Sequence, residues 1–232
     1  MSRAAAVAFA RLPREVCDAR TALPGQFGCV RVVAVADGSE RDAVPDRWTA
    51  DGADYGMWMD MTVDPRFAAW TAPEGERATL LAYLRRYRLT LELKCADLDA
   101  AQLASRSVPP STMSLLGLIR HMAEVERHWF RRVMARSAAP PLYWSQDVPD
   151  GDWRGAVAEP AVVAAAWRAW RGEVAFAEKF VADSPDLGVE GFDRDAGSPA
   201  LRSVLVHMIE EYARHCGHAD LLRERVDGRI GQ

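Results

Sequence analysis

The segment HMIEEYARHCGHAD at 207–220 carries the side chains of this chain with the clearest capacity for chemistry. It places His207, Glu211, His215 and His218 at i, i+4, i+8 and i+11. At about 100° per residue these positions fall within an arc of roughly 80° on a helix. They make one polar stripe beside the apolar face of Val204, Met208, Tyr212 and Ala219, so part of the stripe points between helices rather than into water. Imidazoles and carboxylates are stable there only when hydrogen-bonded or ligated. A metal ion is one economical solution, because two ligands at i and i+4 can close on one ion. The available pairs are His207/Glu211 and Glu211/His215, and spacing does not choose between them. A third ligand must come from another helix. His121 is the best placed, within about 40° of Val125 on the core stripe of its helix, with His128 two turns further along the same side. The competing reading is a set of hydrogen-bonded histidines, with Glu211 paired to Arg214 or Arg120.

Four periodic segments must position these groups. Thr71 and Glu74 make a capping box ahead of a first helix whose stripe is Leu80, Leu84, Tyr87, Leu91, Cys95 and Leu98. After Ser-Val-Pro-Pro, Ser111 or Thr112 caps a second helix with the stripe Leu115, Leu118, Met122, Val125, Trp129 and Val133, ending near Arg136. The loop 137–158 is long enough to be functional or closely packed. Its Tyr143, Trp144 and Trp153 either cover the open end of the bundle or simply pack. Pro160 opens a third helix with Val163, Trp167, Trp170, Val174, Ala177 and Val181 inward; Ser198-Pro199 opens a fourth that stops near Gly228. Four amphipathic helices without a convincing set of strands predict an all-α, four-helix bundle over 61–232.

Residues 1–60 lack helical periodicity, and the strand-like CVRVVAVA at 29–36 has no pairing partner. This stretch is expected to be a poorly structured N-terminal extension or the product of an upstream start, the methionines 57, 59 and 61 marking a natural beginning. A formal net charge of −4 with interspersed signs gives no footprint for nucleic acid or an anionic membrane. The cysteines form no CxxC pair, and no apolar run reaches the roughly 18 to 20 residues of a membrane span. A cytoplasmic protein is the expectation.

Three stretches carry a family resemblance: MTVDPRF at 61–67, TMSLLGLIRHMAEVERHWFRRV at 112–133 and LVHMIEEYARHCGHADLLRERVDG at 205–228. With them the chain resembles the DinB-like (YfiT-like) metalloprotein superfamily and its actinobacterial "mini-circle" subfamily. The resemblance implies a DinB-like bundle in which one ligand comes from the second helix and two from the last. Carried over residue by residue, it selects His121, Glu211 and His215, a glutamate standing where H-x-x-x-H would begin. Beside that set, His207, Glu124 and His128 are expected to support the ligands by hydrogen bonds or to contact the substrate. Two histidines and a carboxylate suit zinc first, with iron or nickel as alternatives.

Similar proteins include the mycothiol-dependent maleylpyruvate isomerases and thiol S-transferases. The resemblance therefore implies a metal-dependent transferase or isomerase that uses a low-molecular-weight thiol such as mycothiol on small electrophiles, with His218 as the catalytic proton-transfer group. The alternatives are a non-catalytic, stress-associated metal-binding protein that forms a homodimer, and a metal-dependent hydrolase with Glu124 or His218 as base.

Overall fold

A computed structural model of the chain describes residues 64–67, 71–195 and 197–230. The expected extension over 1–60 lies outside them. Six α-helices follow in order: α1 (Glu76–Cys95), α2 (Ala100–Ala104), α3 (Leu115–Glu126), α4 (Gly151–Arg154), α5 (Pro160–Asp183) and α6 (Leu201–Asp227). A π-helical segment, Arg127–Met134, continues α3 without a break. The described residues hold no named strand; two isolated antiparallel bridges, Glu190 to Ala200 and Asp193 to Gly197, tie off the loop before α6. No helix among them is long and apolar enough to cross a membrane.

The long helices form the predicted all-α bundle, α1 packing most extensively on α6 and α3 on α5. Leu84 and Leu91 of α1, Leu115, Ile119 and Met122 of α3, Trp170 and Val181 of α5, and Met208 and Ala219 of α6 lie in one buried core. Each follows the three- and four-residue steps visible in the sequence.

The helix ends differ from expectation at three places. Helix α1 starts behind Gly75 with no side-chain cap, so the box of Thr71 and Glu74 does not form. At α3 the cap is Ser114, whose hydroxyl accepts the Gly117 N–H at 3.1 Å; Ser111 is spent earlier, accepting from Met113 N. Helix α6 begins at Leu201 rather than at Pro199. Gly191 N–H donates to Pro199 O at 3.0 Å and Leu201 N–H to Val189 O at 2.8 Å, which holds the intervening residues extended. Pro160 and Gly228 bound their helices as the sequence suggests.

The bundle interior also contains charge. Glu126, 0% exposed, accepts both Nε and Nη2 of Arg88 at 2.8 and 2.7 Å. It also accepts the Tyr212 hydroxyl at 2.7 Å, and Trp170 Nε1 donates to that hydroxyl at 2.8 Å. The chain of bonds thus draws one residue from each long helix. Burial alone would depress the Arg88 guanidinium, but the Glu126 carboxylate outweighs it and raises its pKa; burial, then Glu126, pushes the Tyr212 phenol well above its ordinary value. A second charged tie fixes the π-helical segment: Arg127 and Arg131 donate to the two oxygens of the buried Glu173 of α5 at 2.7 and 2.8 Å.

Removing one partner of a buried ion pair leaves the other unpaired in low dielectric. Arg88→Met and Glu126→Gln should each cost about 3–5 kcal/mol, lowering Tm by roughly 10 °C. The double replacement Arg88→Met/Glu126→Leu should cost less than either single change. Thermal unfolding followed by circular dichroism checks the order.

Candidate metal centre

Three of the polar side chains singled out in the sequence converge between α3 and α6. One ligand atom each of His121, Glu211 and His215 lie within 4.8 Å of one another. Donors around one zinc ion at about 2.1 Å stand roughly 3.4 Å apart, so side-chain adjustments on the order of 1 Å close this cluster on an ion. The donor set fits: two imidazoles and one carboxylate, with the burial increasing from His121 and Glu211 to His215.

The outer hydrogen bonds leave the inward atoms of both histidines free. His121 Nδ1 lies 2.8 Å from Asp152 Oδ2. With the proton on Nδ1, the ring donates to that carboxylate and keeps the lone pair of Nε2. His215 Nδ1 lies 3.3 Å from His218 Nδ1, while its Nε2 faces Glu211 Oε2 at 3.4 Å. Burial, then the neighbouring His121 and His218, lowers the His215 pKa to about 4, so the ring is neutral and able to ligate at neutral pH.

The remaining expected site residues fall around this trio. His207 Nε2 stands 3.6 Å from the other Glu211 oxygen, and its ring packs 4.7 Å from that of Trp129. His218 touches the edge of His215 turned away from Glu211, a position that orients the ring. Glu124 is occupied in holding the chain: its Oε2 accepts the backbone N–H groups of Leu142 and Tyr143 at 2.7 and 2.8 Å. His128 faces Asp193 at 3.6 Å, and burial, then the nearby Arg132, lowers its pKa. Glu211 pairs with neither Arg120 nor Arg214. Arg120 instead donates Nε to Asp152 O and Nη2 to Gly151 O, both at 2.8 Å, and its guanidinium lies 3.8 Å over the Tyr143 ring.

Asp152 is absent from the sequence expectations. It sits 31 residues from His121, in the single turn of α4 inside the long connection, so no spacing rule reaches it. The only hint is its neighbour Trp153, whose ring stacks on His121 at 5.1 Å and covers it. The loop comes this close because two contact points have no side chain. A Cβ on Gly117 would stand 2.6 Å from the Trp153 ring, and one on Gly155 would stand 2.3 Å from Arg120 Nη2. His121 also lines a cavity of about 610 Å³ whose wall includes Trp129, Arg132, Trp144 and Trp153.

A family model described as mycothiol-S-transferase matches residues 79–228, a stretch that contains all three clustered residues. A solved structure titled as the conserved protein of locus from Enterococcus faecalis shares 18% identity over 65% of this chain and 96% of that chain, with a TM-score of 0.48. No curated protein matches the chain.

Second-shell partners of metal-bound histidines are typically worth 10- to 100-fold in affinity. Asp152→Ala should therefore weaken zinc binding by about that factor in competition with a chromophoric chelator. A second expectation concerns pH. The folded His215 titrates near 4 and its unfolded counterpart near the ordinary 6.5, so the unfolded chain takes up the proton first. Metal-free protein should lose stability as pH falls from 6.5 towards 4, and His215→Gln should remove that component of the urea midpoint's pH dependence.

Proposed function

The chain belongs to the mycothiol S-transferase family, and from that premise we propose that it is a metal-dependent transferase that joins the sulfur of a small thiol, mycothiol, to a small electrophile. One observation carries the reading: His121, Glu211 and His215 converge within 4.8 Å, and His121 opens onto a cavity large enough for a small-molecule ligand. Three protein ligands leave a coordination position for a substrate, the arrangement of a catalytic rather than a closed structural site. Zinc is the first choice for the ion, with iron or nickel as alternatives. When bound, such an ion favours the thiolate over the thiol.

The residues of the chain supply the rest. His121, Glu211 and His215 would hold the ion; Asp152 and His218 meet the Nδ1 atoms of the two imidazoles, which leaves Nε2 of each for it. Trp153 shields the His121 ring from water. The thiol passes its proton to solvent water, a new S–C bond forms, and the leaving group departs with the electron pair of the broken bond. Cys216 takes no part as nucleophile: burial pushes its thiol up to about 12, and its Sγ turns to Tyr87 O of α1. The hydrolase alternative loses one of its two candidate bases, because Oε2 of Glu124 is engaged by two loop amides. A cavity lined by His121 weighs against a purely non-catalytic metal site.

Zinc-loaded protein incubated with mycothiol and 1-chloro-2,4-dinitrobenzene tests the proposal, conjugate formation being followed by absorbance. Turnover should fall by at least about 100-fold, roughly 2.7 kcal/mol of transition-state stabilisation, in His121→Ala and Glu211→Gln. Equal turnover in the wild type and His121→Ala would overturn it.

A further inference from the structure

The cavity beside the triad has a wall that the thiol chemistry leaves unexplained. Its apolar surface combines Trp129, Trp144 and Trp153 with Val125, Pro141 and Pro149, and its cation is Arg132. Along α3 and its π-helical continuation the other arginines are engaged, Arg120 with loop carbonyls and Arg127 and Arg131 with Glu173; just past its end, Arg136 bonds the carbonyls of Glu190 and Gly191. Arg132 makes no hydrogen bond or ion pair among the described residues. It is half-buried, and the π-helical turn that carries it sets it beside His128, whose charged form it disfavours. Wide turns of this kind are frequent at functional sites.

The cavity also bears carboxylates, and their bonds decide what they can do. Asp152 is spent on His121 and on the Trp153 amide, Asp150 on Arg154, and Glu124 on two amides. Asp195 also lines the cavity and forms no ion pair with Arg132 among the described residues. The acidic groups are thus largely committed within the chain, whereas the whole donor fork of Arg132 is open. A guanidinium with free donors at an aromatic wall matches a planar carboxylate on an aromatic body.

We propose that this cavity is a subsite for an aromatic carboxylate, held by Arg132 with its ring against the tryptophans. Arg132 lies eleven residues beyond His121 on one continuous helix, roughly 16 Å along an α-helical axis and less through the π-helical turn. A carboxylate held by the long Arg132 side chain therefore leaves the opposite end of a bicyclic ligand facing the triad. That the ligand is the electrophile rests on the transferase reading above; carboxylate binding at Arg132 does not.

Isothermal titration calorimetry on the full chain with 2-naphthoate and 2-naphthamide, both before and after metal removal with EDTA, tests the subsite. Wild-type protein should prefer the carboxylate by roughly 10- to 100-fold, the range for a hydrogen bond to a charged group, and the preference should survive EDTA. Arg132→Gln should bring the ratio near one, while Arg132→Lys keeps part of the preference. Asp195→Asn, which removes a like charge from the cavity, should tighten naphthoate binding. The proposal is overturned if the wild type shows no preference, if the preference persists in Arg132→Gln, or if EDTA abolishes it and so places the carboxylate on the triad. A result in which naphthoate binds as expected but no thiol transfer occurs would remove the transferase reading alone.

Discussion

The carboxylate of Glu126 is the point on which the four long helices agree. It takes two bonds from Arg88 of α1 and one from Tyr212 of α6, whose hydroxyl in turn receives Trp170 of α5. A fully buried carboxylate is unfavourable unless its partners are in place, so a slip of α1 against α3 leaves a charge unpaired, and a slip of α6 or α5 breaks a buried hydrogen bond. Apolar packing tolerates such slips far better, because leucine against leucine is much the same one turn along. The network therefore fixes the register that the leucines leave loose. The register matters because His121 lies five residues before Glu126 on α3, and Glu211 and His215 flank Tyr212 on α6.

Directly after Glu126 the helix widens into its π-helical segment, and two arginines of that segment grip Glu173. The wider turn alters which side chains share a face. It brings His128, Trp129 and Arg132 to the wall of the cavity that begins at His121. One helix thus contributes a candidate ligand at one end and an open cation at the other, with an aromatic surface between them.

The loop 137–158 completes the site through bonds to that same helix. Glu124 holds its first half by two amides, and Arg120 holds its second half by two carbonyls. The two anchors flank His121 and deliver Asp152 and Trp153 onto it. Opposite charges serve opposite poles of the backbone here, a carboxylate for N–H groups and a guanidinium for carbonyls. The short helix α4 and the absent side chains at Gly117 and Gly155 allow contact at close range.

Periodicity alone revealed the four long helices, their inward faces and the polar stripe of α6, because a helix repeats every 3.6 residues and its buried face leaves a regular trace. Spacing narrowed the ligands on α6 to two pairs, and the family resemblance chose Glu211 and His215. What spacing could not supply was everything that acts across the chain: the Asp152 bond to His121, the use of Glu124 and Arg120 as loop anchors, the pairing of Arg88 with Glu126, and the exposure of Arg132 to a cavity. The helix starts at Leu115 and Leu201 were likewise set by hydrogen bonds that only the folded chain makes. A local pattern records which face of a segment is buried; which partner meets that face, and which charged group is left with open donors, is decided only when segments distant in sequence are brought into contact.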